Sequence, residues 1–535
     1  MSTRQSNYSS STSNNTFMEK GKILFLRERG LSIKNLINYG MGVLATVVSK
    51  HHDVKIIDNN ARYKTYSSED IITTVRDYKP DIICFSIATI NAFFSYNTIQ
   101  IIKKYFPQIP IVAGGLHISH QYQEALERKV DYVVRGEAEL VILDLIDKIL
   151  TNQKTGITHD INIKGVSYFR NGELLDNGIC ALPLDLDQYS IIDYNLYSLS
   201  DFVRAKSDIN VLGKCLTQRG CPFKCTFCSD EFINTKIRKR SIGNILMEIE
   251  YVHFTYGVDV IDIRDADFTL SNTRIIELCQ AIIERGLRGK LNFTVASDSF
   301  RVLKRSTLEM MRNCGFYFIS LGIERMVRQT QEVLNKKLDR GIILENLDNL
   351  RDLGFSTCIN HLVGFRFESV ELLRKERSEF ANLLAKYGGM ISTNIFMPTP
   401  GTKEYEIIES EGIQGKKWYL NPTVFHDYKP FYQLVYNLLY DLSSVPIYPY
   451  GNVVNREIIK TKVFFIKASI RKKSRSLLML YYGALILAKI SEWMYSLSPF
   501  MERLFLGNVG NWSERASNIF SELWVRDTKR TLKGK

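Results

Sequence analysis

The chain has 535 residues, room for about two to four domains, with 45% hydrophobic and 24% charged residues, the balance of an ordinary water-soluble globular protein. Nine cysteines, three of them crowded between Cys221 and Cys228 and the rest scattered, argue against a secreted disulfide scaffold and for a metal site in a reducing, cytoplasmic compartment. The net charge of +13 suits an anionic substrate, nucleic acid or membrane, but no basic cluster sits near the motifs below, so it carries little weight.

The N-terminal stretch MSTRQSNYSSSTSNNTF has no apolar core; residues 1–19 read as a disordered polar tail and not as a signal peptide. Five apolar runs follow that read as strands: KILFL from Lys22, DVKIID from Asp53, DIICFSI from Asp81, PIVAG from Pro110 and DYVV from Asp131. Helical stretches such as Lys34–Lys50 and Asn91–Tyr105 lie between them. This alternation predicts a doubly wound parallel sheet over residues 20–155, which binds ligands at the carboxyl ends of its strands. Those ends carry Ser86 and Thr89, then Gly114, Gly115 and His117, then Gly136 and Glu137. Paired glycines admit a ligand close to the backbone, although they equally suit plain strand-to-helix turns.

After a presumed linker over 156–209 comes Cys221-Pro-Phe-Lys-Cys225-Thr-Phe-Cys228. Thiolates are the soft anionic ligands of iron–sulfur clusters, and C-x3-C-x2-C lets one loop hold three irons of a cubane. With no fourth ligand at short spacing, one iron stays open, as in a catalytic site. A structural zinc site fits poorly: Cys215 and His253 are the nearest further candidates, and neither stands at finger spacing.

The stretch TQRGCPFKCTFCS from Thr217, including Phe227, closely resembles the signature of the radical S-adenosylmethionine (SAM) superfamily. By that resemblance Cys221, Cys225 and Cys228 hold a 4Fe–4S cluster, SAM binds the open iron, and reduction yields a 5′-deoxyadenosyl radical. Further along, Ser241 suits the cap of a helix running to about Tyr256, and VDVIDI from Val258 suits a strand. Asp265, Phe268 and Thr269 resemble the family's Asp-Asp-x-Phe-Thr segment, with Ala266 at its second position. FYFISLGIER from Phe316 is similar to the Gly-Ile-Glu-Ser strand, making Glu324 a candidate SAM contact, with Arg325 in place of serine. HLVGFRFES from His361 resembles Gly-x-Pro-x-Glu at Gly364 and Glu368, with Arg366 in place of proline, and FMPTPGTKEYE from Phe396 resembles the segment that closes the barrel. These motifs imply a partial (β/α)6 barrel over 210–415, with Phe227, Asp265, Glu324 and Gly364 among its cofactor-binding residues.

Residues 20–155 resemble the flavodoxin-like cobalamin-binding domain that precedes many radical SAM cores, so the chain looks like a member of the cobalamin-dependent family. The resemblance implies that Ser86, Thr89, Gly114 and Gly115 flank the nucleotide tail of cobalamin and that Gly136 and Glu137 close the pocket. The loop from Arg27 lacks the Asp-x-His-x-x-Gly motif of cobalamin mutases, and His51 and His52 are followed by no fitting glycine. No protein histidine is therefore expected on cobalt, and His117 reads as a pocket-lining residue. No cysteine follows Cys358, which excludes a C-terminal auxiliary cluster, and the first 150 residues carry only Cys84, which argues against tRNA methylthiolation.

Methyl transfer to an unactivated carbon of a small molecule is the reading favoured by analogy, with cobalamin-assisted oxidation or cyclisation as the alternative and a non-catalytic cobalamin carrier as a third. An electron donor such as flavodoxin or ferredoxin is implied, and nucleic acid is not. Residues 416–535 read as a mainly helical region in which His426, Asp427 and Tyr428 suit either a pocket or plain packing. Its uncharged run Ser476–Ala488 is too short to span a bilayer, but with the basic stretch before it, residues 456–490 suit peripheral membrane contact.

Overall fold

The structure is a computed structural model that describes residues 20–412 except 31–36, 158, 190, 230–235, 298–302 and 337, together with 417–420 and the helical positions 457, 460, 461 and 464. The N-terminal tail, His426, Asp427 and Tyr428, and nearly all of the basic stretch lie outside the described residues. No described helix is long and apolar enough to cross a membrane.

The first sheet contains all five expected strands: β1 (Lys22–Arg27), β2 (Asp53–Asp58), β3 (Ile82–Ser86), β4 (Ile111–Gly114) and β5 (Tyr132–Val134). They run parallel in the order β2-β1-β3-β4-β5, so the topological switch lies beside β1 and β3. The runs are apolar because both faces are covered. Ile23 and Phe25 point into one core, Leu24 and Leu26 into the other. Helices α1 (Tyr39–Ser49), α2 (Ser68–Tyr78), α3 (Ala92–Tyr105), α4 (Leu116–His120), α5 (Tyr122–Glu127) and α6 (Ile142–Thr155) supply those covers. Asn38 caps α1, and Ser67 with Asp70 forms a reciprocal box at the start of α2.

The stretch expected as a linker departs from that expectation. Strands β6 (Val166–Arg170) and β7 (Glu173–Asp176) form a hairpin that adds antiparallel to β5. Asn171 and Gly172 at its tip have φ of 51° and 83°, the left-handed pair that a two-residue turn requires. Beyond the hairpin, Ile192, Tyr194, Tyr197 and Phe202 are buried in a core shared with the second half of the chain. This segment is packed structure that cements the two halves.

The second sheet is wholly parallel and follows chain order: β8 (Lys214–Cys215), then, past the short pair β9 (Gln218–Arg219) and β10 (Arg238–Lys239), β11 (Val260–Ile263), β12 (Asn292–Ser297), β13 (Phe316–Glu324), β14 (Ser356–Val363) and β15 (Met390–Ile395). Helices α7 (Ile242–Tyr256), α8 (Asn272–Glu284), α9 (Arg305–Cys314), α10 (Arg328–Val333), α11 (Arg340–Asp352) and α12 (Val370–Tyr387) return the chain between strands. This is the expected six-stranded partial barrel, and α13 (Lys403–Ser410) follows it. Ser241 caps α7 by accepting from the Asn244 amide, and the helix ends at Tyr256, as its sequence predicts. From the C-terminal region, Glu457 is buried against α12, pairing with Arg377 at 2.8 Å and Arg374 at 3.5 Å.

Candidate active site

The three motif cysteines stand on the loop after β9, each half-exposed, whereas the other six cysteines are buried. No disulfide involves any of the nine. Burial pushes the Cys84 and Cys180 thiols up to about 12, which keeps them as inert core groups. The loop is braced from three sides. Thr226 N–H donates to the Leu334 carbonyl (3.1 Å), Glu404 N–H to the Thr226 carbonyl (3.2 Å) and Asn335 Nδ2 to the Lys224 carbonyl (2.7 Å). Phe227 lies edge-on to Phe365, ring centroids 6.2 Å apart, with the Lys336 ammonium 5.8 Å from its own ring centre. Among the described residues no three His, Cys, Asp or Glu side chains converge on one metal-sized point. As a donor set, three thiols on one loop fit an iron–sulfur cluster.

Asp265, an expected cofactor contact, braces the backbone beside the cysteine loop. It is buried and accepts from the Thr217 amide (2.7 Å), the Gln218 amide (3.2 Å) and the Thr217 hydroxyl. Burial raises its pKa to about 6 against the pull of those hydrogen bonds. Its carboxylate braces the chain between β8 and β9, the stem from which the cysteine loop springs.

Glu324 ends β13 with φ of 61°, a left-handed conformation that costs a non-glycine residue about 1–3 kcal/mol and persists only where the surroundings impose it. The next residue in sequence is tightly held. Arg325 is 1% exposed, lies 5.2 and 5.9 Å from the ring centres of Phe365 and Phe367, and pairs with the buried Glu368. The second Glu368 oxygen accepts the Gly364 amide at 2.8 Å, and Glu376 accepts the Met326 and Val327 amides at 3.0 and 3.2 Å. Arginine in place of the family's serine thus ties the Glu324 turn to the Gly364 turn. Gly364 itself has φ of 96°, and a Cβ there would come within 2.7 Å of the Ile395 side chain. Behind these turns His361 is buried, stacked on Phe380 at 4.2 Å; burial first and Arg325 second hold its pKa well below the usual range. A Glu324→Gly protein is expected to be more stable than the parent by about 1 kcal/mol, because glycine adopts this φ freely, while losing SAM affinity. Thermal melts paired with SAM-binding titrations check both halves; a variant that binds SAM normally removes Glu324 from the site.

In the first domain Gly115 has φ of 117°, and a Cβ there would lie 2.5 Å from the Ile87 carbonyl oxygen, so the β4 turn requires glycine. Gly114 beside it is less crowded: a Cβ there would sit in ordinary contact, 3.6 Å from the Val134 carbonyl oxygen. Ser86 Oγ accepts from Asn38 Nδ2 at 3.0 Å, holding β3 to the start of α1. Thr89 contacts His117 Nδ1 at 3.3 Å, and Tyr96 OH contacts His117 Nε2 at 3.3 Å. His117 is 1% exposed, with the Tyr419 ring edge-on at 4.7 Å, and burial lowers its pKa. It is enclosed, not pocket-lining, because residues 417–420 close over it. His52 is engaged too, accepting from the Gly21 amide at 3.2 Å and contacting Asp147 at 3.0 Å.

Glu137, expected to close the cofactor pocket, joins the two domains. Its carboxylate reaches out of the first domain to Arg219 (2.8 Å) and Arg238 (2.5 Å), and Glu139 joins Arg219 at 2.6 Å. Burial alone would raise the Glu137 pKa; the Arg238 and Arg219 guanidiniums overcome it and hold the carboxyl below its ordinary value. A second bridge runs from Tyr39 of α1 to Glu248 of α7 (3.2 Å), where Glu248 also meets Arg240 at 2.5 Å and accepts from the Cys215 thiol at 3.3 Å. His120 packs against Gly401, where a Cβ would lie 2.1 Å from Nε2. Tyr405 and Tyr419 complete a core of the first domain. Arg219, Arg238, Glu139 and Arg325 are the contributors that motif reading missed, because their partners lie far away in sequence.

Residues 34–146 match the B12 binding domain family, and residues 215–375 match the radical SAM superfamily. An uncharacterized methyltransferase of Pyrococcus horikoshii is 26% identical over 451 residues, 83% of this chain and 94% of the relative. The anaerobic magnesium-protoporphyrin IX monomethyl ester cyclase of Cereibacter sphaeroides is 25% identical over 60% of this chain and 52% of its own length. Among solved structures, the cobalamin-dependent radical enzyme OxsB shares the fold with a TM-score of 0.62 at 16% identity, over 96% of this chain and 80% of that one. The radical SAM methyltransferase TsrM from Kitasatospora setae shares it with a TM-score of 0.58 at 16% identity, over 73% of this chain and 75% of its own. The chain thus joins a B12-binding domain to a radical SAM domain, the pairing of the cobalamin-dependent radical SAM enzymes, and the two domains together imply cobalamin, a 4Fe–4S cluster and SAM as its cofactors.

Proposed function

We propose that this chain is a methyltransferase acting on a carbon of a small-molecule substrate, with Cys221, Cys225 and Cys228 as the cluster ligands. The carrying observation is the likeness to the Pyrococcus horikoshii methyltransferase, which runs through both domains and covers 94% of that protein, against 52% for the Cereibacter cyclase. When bound, the cofactors supply a 5′-deoxyadenosyl radical and a transferable methyl group, chemistry that no side chain provides. The protein's share is to hold and orient. Asp265 fixes the stem of the cysteine loop, Leu334, Asn335 and Glu404 fix its crest, and the Arg325–Glu368 pair sets the turn that presents Glu324. Gly114 and Gly115 give a nucleotide tail access to bare backbone at the end of β4. The TsrM structure bears tryptophan and a SAM analogue, so a small-molecule substrate is the reading for this chain as well.

The second reading, cobalamin-assisted cyclisation or oxidation, draws on the likeness to the anaerobic cyclases. A nucleoside assay separates the two. The protein is purified without oxygen, reconstituted with iron, sulfide and hydroxocobalamin, and given SAM and a strong reductant. Formation of both 5′-deoxyadenosine and S-adenosylhomocysteine is expected for methyl transfer. Deoxyadenosine alone supports the cyclase reading, and absence of both refutes the assigned cofactor set.

A further inference from the structure

The stem of the cysteine loop carries two adjacent buried guanidiniums that are met by carboxylates of the other domain. Arg219 and Arg238 are directly paired across β9 and β10, so two guanidiniums stand side by side, with side chains only 15% and 2% exposed. Like charges opposite one another on paired strands repel, and burial removes the water that would screen them. The counter-charges come from the other domain. Glu137 Oε2 accepts from Arg219 NH1 (2.8 Å) and Arg238 NH1 (2.7 Å), and Glu137 Oε1 from Arg238 NH2 (2.5 Å). Glu139 Oε1 takes Arg219 NH1 at 2.6 Å, and Arg238 NH1 also donates to the Pro183 carbonyl at 3.0 Å. The two-pronged Arg238–Glu137 contact fixes orientation as well as distance.

On each side of this joint one glycine separates the charge from a cofactor-bearing element. Gly220, φ 97°, stands between Arg219 and Cys221; Gly136, φ 98°, stands between the end of the β5 turn and Glu137. Two turns from different domains are thereby tied into one geometry, so that a ligand bound at one acts on the other.

We propose that Glu137 and Glu139 are positioning residues that lock the cobalamin-side turn to the stem of the cluster loop, so that loading of either cofactor strengthens binding of the other. The proposal rests on the assignment of the cluster to Cys221, Cys225 and Cys228 and of cobalamin to the first domain. Linkage requires the effect to be reciprocal: the factor by which the cluster tightens cobalamin is the factor by which cobalamin tightens the cluster.

The test uses the full-length chain and reads cobalamin binding, not turnover. Hydroxocobalamin affinity is measured by equilibrium dialysis for protein with the cluster reconstituted and for iron-free protein. The parent is expected to bind about fivefold or more tightly when the cluster is present. In Glu137→Gln/Glu139→Gln protein the two affinities are expected to coincide. Glu139→Gln alone keeps the Arg238 fork and is expected to show a smaller ratio than the parent, which serves if the double variant does not fold. Equal affinities in the parent, or a ratio unchanged in the variants, overturn the joint while leaving the cofactor assignment standing. A parent that takes up no cobalamin, or no iron, overturns the cofactor assignment and the joint with it.

Discussion

Cys225→Ala protein is expected to emerge from anaerobic reconstitution without its cluster and to form neither 5′-deoxyadenosine nor S-adenosylhomocysteine above background. The cysteine loop offers three thiols, and among the described residues no other side chain is grouped with them to take over a lost position. The loop itself should survive. Its crest is held through Thr226 and Lys224 by backbone contacts to Leu334 and Glu404 and by Asn335, none of which involves a thiol. Loss of function should therefore come with an unchanged thermal midpoint in iron-free protein. Cys84→Ala is the control: that thiol is buried in the first domain, far from the loop in role, and its removal should leave iron content and products intact. Iron and sulfide analysis with chromatography of the nucleosides reads both variants. A Cys225→Ala enzyme that still cleaves SAM would sink the ligand assignment, and a variant that keeps the protein's function without cleaving SAM would favour a carrier.

The largest expected effect on stability lies at Glu248. Its carboxylate is 2% exposed and is held by Arg240, the Cys215 thiol and the Tyr39 hydroxyl. Burial pushes its pKa up, opposed chiefly by Arg240. Glu248→Gln strands the Arg240 guanidinium, itself buried, without its counter-charge, and loss of one member of a buried pair costs about 3–5 kcal/mol. Because Tyr39 belongs to the first domain and Glu248 to the second, the damage should appear as a lowered midpoint for both domains together. Replacing both charges, as in Arg240→Met/Glu248→Leu, is expected to recover most of the loss. Urea titrations of the iron-free proteins provide the comparison, and a double variant no more stable than the single one would show that the pair contributes more than mutual neutralisation.

What the sequence makes legible follows from how local the cause is. Strands buried on both faces announce themselves as apolar runs, so β1 to β5 are visible in one dimension. The Ser241 cap and the end of α7 are equally local. The β6–β7 hairpin was legible too, since Asn171-Gly172 is a strong turn signal, but the segment's position between two recognisable domains disguised it as a linker. His117 could not be judged from its surroundings. A histidine after two glycines at a strand end has the look of a cofactor residue, and the ring that encloses it, Tyr419, arrives from the far end of the chain. Glu137 and Asp265 differ in the same way: each sits in a family-like motif, and each is committed to the stem of the cysteine loop by contacts that only the folded chain brings together.

That late enclosure has a consequence for how the protein is made. Glu124 of α5 meets the Lys417 ammonium at 2.9 Å across 293 residues of sequence, and Tyr419 seals the same corner. At ribosomal speeds of about 5–20 residues per second, the N-terminal domain leaves the tunnel roughly 15 to 60 seconds before its closing piece exists. During that interval Tyr96, His117 and Glu124 lack the residues that later cover them, and the nascent domain is a vessel without its stopper. Translation itself therefore sets a period in which the cobalamin side of the enzyme is open, and only the last fifth of the chain ends it.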